Sequence, residues 1–246
     1  MRGVRQIVRF NEPFYVLGTV TVLASAAAAG RWPMQASGRM ALHAAIALAA
    51  FWIVGSLVAS WIVYDRSGLM RWEWIGRALR RRPASWINLH AGLDESTPAL
   101  RTLLGGADGR VFDIFDATEM TEPSIARARR LARNAVAAEP VDYRHLPVAA
   151  GSIDAAFLLL SAHELRSDEA RGALFAELRR VLAGDGRVVV AEHLRNWANF
   201  VAFGPGFLHF HSRGAWLRAF ARAPFAVDVE FSVTPLVRVF VLRRLT

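Results

Sequence analysis

The chain has 246 residues, 54% of them apolar, with 30 basic residues against 21 acidic ones and no cysteine. Every basic residue is arginine and the net charge is +9. The missing cysteine excludes a disulfide scaffold, a thiolate metal centre and a cysteine nucleophile. A composition this apolar and aromatic excludes disorder. The basic excess leaves nucleic acid or an anionic membrane as partners until its distribution is known.

Residues 14–30 and 40–64 contain no charged side chain. A spanning helix needs about 17–25 apolar residues, so the two segments predict a transmembrane hairpin over residues 1–66. Its short loop, 31–39, contains Pro33 and Gly38. Arg2, Arg5 and Arg9 precede the first span, and Arg66, Arg71, Arg77 and Arg80–Arg82 follow the second, against Arg31 and Arg39 in the loop. That asymmetry predicts both ends in the cytoplasm and a multi-pass protein of a bacterial inner membrane. A rival reading makes the N-terminus a signal peptide cleaved near Ala24-Ser25-Ala26. Gly55 and Ala59 form a small-xxx-small pair expected to pack the spans together. Residues 67–82 carry Leu69, Trp72, Ile75 and Leu79 at helical spacing with arginines beside them. They are expected to form a basic amphipathic helix that meets anionic lipid and ends at Pro83.

Residues 83–246 read as one domain of alternating strands and helices. Strands are predicted at 86–91, 110–115, 153–161 and 186–191, and helices at 97–104, 123–137, 168–182 and 216–221. A closing antiparallel strand pair is predicted at 225–232 and 236–243. Ile153–Ser161 is a continuous apolar run, as a buried central strand requires. The alternation predicts an α/β doubly wound, Rossmann-like sheet.

Ligands of such sheets bind at the carboxyl ends of the strands. His90, Gly92 and Asp94 follow the first strand, and Asp113 and Asp116 the second. Asp142 precedes Leu146-Pro147. Ser161, His163 and Glu164 follow the long strand, and Glu192, His193, Arg195 and Asn196 the next. Polar residues after four successive strands favour a site over core packing. Ser161, His163 and Glu164 also invite a hydrolase reading, but no Gly-X-Ser-X-Gly elbow is present.

Two stretches carry a family resemblance. Asp142-Tyr-Arg-His-Leu146-Pro-Val148 is followed by Gly151-Ser-Ile-Asp-Ala-Ala156, and Leu174–Leu182 runs through Ala183-Gly-Asp-Gly186 into Arg187-Val-Val-Val190. They resemble class I S-adenosylmethionine-dependent methyltransferases of the small-molecule type that includes quinone-modifying members. The resemblance covers roughly residues 84–246. It implies S-adenosylmethionine as cofactor, Asp113 (Asp116 second) on the ribose hydroxyls, and Asp142 near the adenine with Leu146 and Ser161 along the cofactor. It also implies that the Gly92 turn receives the methionine end. The first family motif departs here: Asn88 stands where an acid is expected, His90 at the first glycine and Asp94 at the last. Side chains at those positions crowd a place where the cofactor needs bare backbone, so a non-catalytic, membrane-tethered binding module is the alternative to an enzyme. Asp94-Glu95-Ser96-Thr97-Pro98 carries the marks of a helix N-terminus.

In the family, the region after the fourth long strand covers the acceptor. The run from Phe203 to Arg213, with Phe207, His209, Phe210 and His211, predicts an aromatic lid over a lipophilic small molecule. His193 or His209 is the expected general base, with His163 beside them. Convergence of His163, Glu164, His193, His209 and His211 on a metal is a further option, but His-X-His alone is a weak signal, and no metal is assigned. The charge divides unevenly: residues 1–82 hold 11 Arg against Glu12, Asp65 and Glu73, a net +8, and residues 83–246 are at +1. The basic excess is therefore a membrane-orientation signal, and nucleic acid drops out as a partner.

Overall fold

The computed structural model describes residues 2–131 and 137–245. The chain forms two compact units, Met1–Ser67 with Trp197–Phe207, and Gly68–Asn196 with Leu208–Thr246.

The first unit is helical. An amphipathic helix, α1 (Arg2–Phe10), stops at Asn11, and α2 (Glu12–Ala29) starts with Pro13 in its first turn. There a missing N–H is harmless. α3 (Ala36–Ser60) runs on into a π-helical turn, Trp61–Arg66. The backbone N–H groups of Gly3 and Val4 donate to the Asp65 carboxylate at 3.0 and 2.9 Å. Mean hydropathy is 1.3 over α2 and 2.2 over the stretch that contains α3, so both are long and apolar enough to cross a membrane. The expected packing of the spans through Gly55 and Ala59 is corrected. Gly18 lies against Ile53, and the Tyr15 and Ser56 hydroxyls meet at 3.1 Å. Gly55 and Ala59 instead line an open apolar groove of about 560 Å³ with Phe51, Val54, Val201 and Ala202. Val201 and Ala202 belong to a short helix, Trp197–Phe203 (α8 in chain order). Gly204 behind it has φ +54, and an added Cβ would stand 2.7 Å from the Trp52 ring.

The second unit is an α/β layer. Its strands are β1 (Ser85–His90), β2 (Asp108–Asp113), β3 (Glu139–Pro140), β4 (Ile153–Leu159), β5 (Leu182–His193), β6 (Phe225–Thr234) and β7 (Val237–Arg244). They form one sheet in the order β3-β2-β1-β4-β5-β7-β6. The first five are parallel, and β7 runs antiparallel between β5 and β6. The helices are α4 (Ile75–Ala78), α5 (Thr97–Leu104), α6 (Pro123–Leu131), α7 (Asp168–Val181) and α9 (Arg213–Arg222). Part of the predicted helix 123–137 falls on 132–136, outside the described residues. β4 is buried between β1 and β5, which explains its unbroken apolar run. Ile87, Leu89, Leu158, Val188, Val190, Phe175, Leu178 and Trp216 build the core.

Residues 67–82 do not form the single amphipathic helix their spacing predicts. A 3₁₀ turn, Leu69–Arg71, ends at Trp72 in the left-handed region (φ 59), and the short α4 follows. Leu69, Trp72, Trp74 and Ile75 are buried, and Trp74 meets Phe231 edge-on at 6.2 Å. The apolar face covers protein rather than lipid. The arginines expected at headgroups pair with side chains of the same unit: Arg80 with Asp228, and Arg81 with Asp154 and Asp185. Arg82 donates to the Leu104 carbonyl.

Candidate functional site

Two constellations form at the carboxyl ends of the strands. The first lies after β1 and β2, where His90 and Asp113 are register partners. The turn after β1 folds inward on itself. Asn88, buried in β1, donates to Asp94 at 3.3 Å, Ser96 at 2.9 Å and Thr97 at 2.8 Å. The same Asp94 oxygen accepts the Ser96 and Thr97 backbone N–H groups, an Asx turn that leads into α5. Asp94 is thus engaged through Oδ1 in holding the turn, and the Asn88 exchange matches it: an amide can donate to a carboxylate where an acid would repel it. His90 Nδ1 accepts from the Gly92 N–H at 3.1 Å. Burial holds the His90 imidazole below its ordinary pKa. His90 Nε2 and Asp94 Oδ2 are buried without a hydrogen-bond partner.

Gly92 has φ +120, and an added Cβ would come within 2.3 Å of the Arg129 side chain. Only glycine tolerates both conditions. Arg129, from α6, lies over this turn and donates to both Asp113 oxygens at 2.9 and 2.7 Å. Its guanidinium stacks 4.1 Å from the Phe115 ring centre. The carboxylate expected on ribose hydroxyls is therefore held by an arginine. Nothing in the sequence singled Arg129 out, because α6 carries several arginines.

Of the other expected cofactor residues, Asp116 accepts from the Thr118 hydroxyl and backbone N–H, which lower its pKa. It stands 3.7 Å from Arg144. Asp142 accepts from the Arg144 N–H and keeps an exposed carboxylate. Leu146 is buried, with its N–H on Glu177, and Ser161 is buried, donating to the Leu89 carbonyl at 2.8 Å. Both polar groups join elements of the fold.

The second constellation lies after β4 and β5. Leu160, in the left-handed region at φ 58, turns the chain out of β4, a conformation that costs a non-glycine residue about 1 kcal/mol or more. The turn aims the N–H groups of Ser161, Ala162 and His163 at one oxygen of Glu192, at 3.1, 2.8 and 3.2 Å. The other Glu192 oxygen lies 2.7 Å from His163 Nδ1. Glu192 is wholly buried, a placement that a carboxylate tolerates only when fully paired. His163 Nε2 faces Glu164 at 3.4 Å. Burial alone would push His163 down, but the two carboxylates outweigh it and raise it to about 10. Burial pushes Glu164 up, and His163 overrides that to lower it. The His209 ring meets His163 edge-on at 5.1 Å. Burial and the neighbouring His163 charge lower His209 to about 4.

His193 stands near His209, and its charge is among those that lower the His209 pKa. Its Nδ1 lies 3.1 Å from the Leu236 carbonyl, and its ring stacks on Phe210. His211 is buried between Arg171 and the Leu165 carbonyl. The aromatic run divides between the two units. Phe207 belongs to the first unit, on Phe200, which in turn meets Trp52 edge-on at 5.4 Å. Of the run, His209 and Phe210 reach the His163 ring. Sequence spacing could not separate a lid from a segment that returns to the apolar helices, because both are aromatic.

Residues 104–190 match a protein family described as a methyltransferase domain. No curated protein matches the chain. Among solved structures, a SAM-dependent methyltransferase from Aquifex aeolicus is 13% identical with a TM-score of 0.55, over 74% of this chain and 90% of that one. The mitomycin 7-O-methyltransferase MmcR is 14% identical with a TM-score of 0.58, over 99% and 72%. Geranyl diphosphate C-methyltransferase from Streptomyces coelicolor A3(2) is 17% identical with a TM-score of 0.51, over 70% and 78%. The second unit thus has the fold of S-adenosylmethionine-dependent methyltransferases.

Proposed function

We propose that the protein is an S-adenosylmethionine-dependent methyltransferase, held at a membrane by α2 and α3, that modifies a hydrophobic small molecule. The observation that carries the reading is the pair of constellations at adjacent strand ends on a sheet of methyltransferase topology, within a stretch that matches a methyltransferase domain. The Asp113 carboxylate and the Gly92 turn fit the cofactor once Arg129 swings aside: the carboxylate offers two acceptors to two ribose hydroxyls, and His90 Nε2 and Asp94 Oδ2 are buried polar atoms in want of partners. When bound, the cofactor supplies a methyl group on a cationic sulfur, and transfer then needs chiefly alignment with the acceptor. His209 is the best base of the three histidines expected. It is neutral at pH 7, whereas His163 already carries its proton and His193 engages a backbone carbonyl.

Membrane attachment is supported by the exposure of Phe14, Leu17, Leu23, Met40, Phe51 and Val54 on α2 and α3. Water would penalise such a surface and a bilayer favours it. An inner-membrane, multi-pass location with the second unit in the cytoplasm follows from the arginine asymmetry. Alkaline carbonate that released the full-length chain from membranes would refute it.

A second reading, a methyltransferase fold that serves as a tethered binding module, is favoured by Arg129 on Asp113. Calorimetry of the full-length chain in mild detergent with S-adenosylhomocysteine separates the two. Binding supports the enzyme. A folded chain without heat up to about 1 mM ligand, where binding is worth only about 4 kcal/mol, supports the module.

A further inference from the structure

We propose that His163, Glu164 and His209 bind one divalent transition-metal ion, zinc by the chemistry of the donors. The site is assigned from the geometry of these residues. Its bearing on catalysis rests on the methyltransferase reading above.

One ligand-type atom from each of the three lies within 4.8 Å of the others. A tetrahedral ion with bonds of about 2.0–2.2 Å needs its ligands about 3.3–3.6 Å apart. His163 Nε2 and Glu164 Oε1 already stand 3.4 Å apart. His209, partly open, supplies the third donor within that 4.8 Å limit. Two imidazoles and a carboxylate without sulfur suit a borderline ion such as zinc, and disfavour magnesium or calcium, which take oxygen ligands.

The surroundings are those of a metal site rather than of an ordinary ion pair. Glu192 Oε2 stands 2.7 Å from His163 Nδ1, which fixes the tautomer and aims Nε2 at the proposed ion, the carboxylate–histidine–metal arrangement. Glu192 is itself locked by three backbone N–H groups. Glu122 stands 3.8 Å from His209 Nδ1 and offers the second imidazole a similar partner. Glu164 Oε2 is buried and without a hydrogen bond. Arg166 is the opposing charge. It donates to the His163 and His209 carbonyls, so it ties the two ligand-bearing segments together. The three carboxylates outnumber it. An ion here takes the place of the proton that His163 otherwise shares with Glu164. Three protein ligands leave coordination positions for water or an acceptor oxygen, the pattern of a catalytic zinc rather than a structural one. With the ion seated, His209 is a ligand, and the ion instead of the imidazole acidifies the acceptor.

The test is zinc binding to full-length protein in detergent, without a polyhistidine tag and stripped with a chelator. Equilibrium dialysis with zinc chloride and elemental analysis reads the stoichiometry. Wild type is expected to retain one zinc per chain. His163→Ala and His209→Ala should each weaken binding at least tenfold, Glu192→Gln by about 10–100-fold, and His145→Ala, at an exposed histidine, not at all. The proposal is overturned if wild type binds no more zinc than a folded His209→Ala variant, which suffices should His163→Ala not fold. S-adenosylhomocysteine binding in the same samples keeps the two readings apart. Cofactor binding without zinc overturns the metal site alone, and zinc without cofactor overturns the methyltransferase reading alone.

Discussion

If Arg129 occupies the place of the cofactor's ribose, its removal should tighten cofactor binding. Arg129→Ala frees both Asp113 oxygens and uncovers Gly92. The pair is partly exposed, at 32% and 15% of the two side chains, so solvent screening keeps its worth to about 1 kcal/mol. Stacking on Phe115 adds about 0.5 kcal/mol at such a site. Displacing Arg129 therefore opposes binding by about 1.5 kcal/mol, or about tenfold in affinity. Calorimetry with S-adenosylhomocysteine on full-length wild type and Arg129→Ala should show that gain. The double variant Asp113→Ala/Arg129→Ala should gain only about 0.5 kcal/mol over Asp113→Ala alone, the Phe115 stack, because the arginine acts mainly through the aspartate. Weaker binding by Arg129→Ala, with the fold intact, would refute the reasoning. It would mean that the guanidinium holds the cofactor, through its carboxylate, instead of competing with it.

Asp113→Ala should lower cofactor affinity at least tenfold, since two charge-assisted bonds are lost; unchanged affinity in the same titration removes the ribose assignment. Glu192→Ala strands three backbone donors and the His163 cation, and should cost about 3–5 kcal/mol in urea unfolding; a loss under about 1 kcal/mol would contradict the buried carboxylate's role. His209 and His211, lowered to about 4 and about 3, stay neutral in the fold but bind protons once unfolded, with a pKa of about 6.5. Their contribution is full above pH 6.5 and is lost as pH falls toward 4. His163, raised to about 10, contributes fully below pH 6.5 and loses that contribution as pH rises to 10. Thermal melts should therefore peak near neutral pH, and His211→Gln should flatten the acid limb; an acid limb of unchanged slope would count against it.

The sheet was legible because its signals are local. Ile153–Leu159 declares a buried strand by composition, whereas the caps that start α7 and α9, Ser167 and Ser212 accepting the N–H groups of Ala170 and Ala215, are no part of the sequence expectation, which begins the last helix at 216. The two-residue β3 and helices α1 and α8 carry no such signal. The positions of the chemistry were legible at the level of strand ends, while partner choice was not. Asp113, Ser161 and Leu146 occupy the edge that topology assigns them, yet which atom each polar group meets depends on residues far away in sequence. Ser161 finds Leu89, Leu146 finds Glu177, and Asp113 finds Arg129.

The basic excess shows the same division. The +8 of residues 1–82 reads as an orientation signal, and Arg80, Arg81 and Arg82 are part of it. Those three are engaged by Asp228, by Asp154 and Asp185, and by the Leu104 carbonyl. Charges engaged within the second unit are weak candidates for lipid headgroups, because an anionic lipid would have to displace a carboxylate from Arg80 or Arg81 and a carbonyl from Arg82. The orientation reading therefore leans on Arg2, Arg5, Arg9, Arg66, Arg71 and Arg77. Reversing Arg80–Arg82 to glutamate should destabilise the second unit more than it alters topology. Reversing Arg5 and Arg9 should act on topology with the fold unchanged. Protease accessibility in oriented vesicles, read beside urea unfolding, separates the two effects, and a topology change from the Arg80–Arg82 reversal alone would restore the headgroup role.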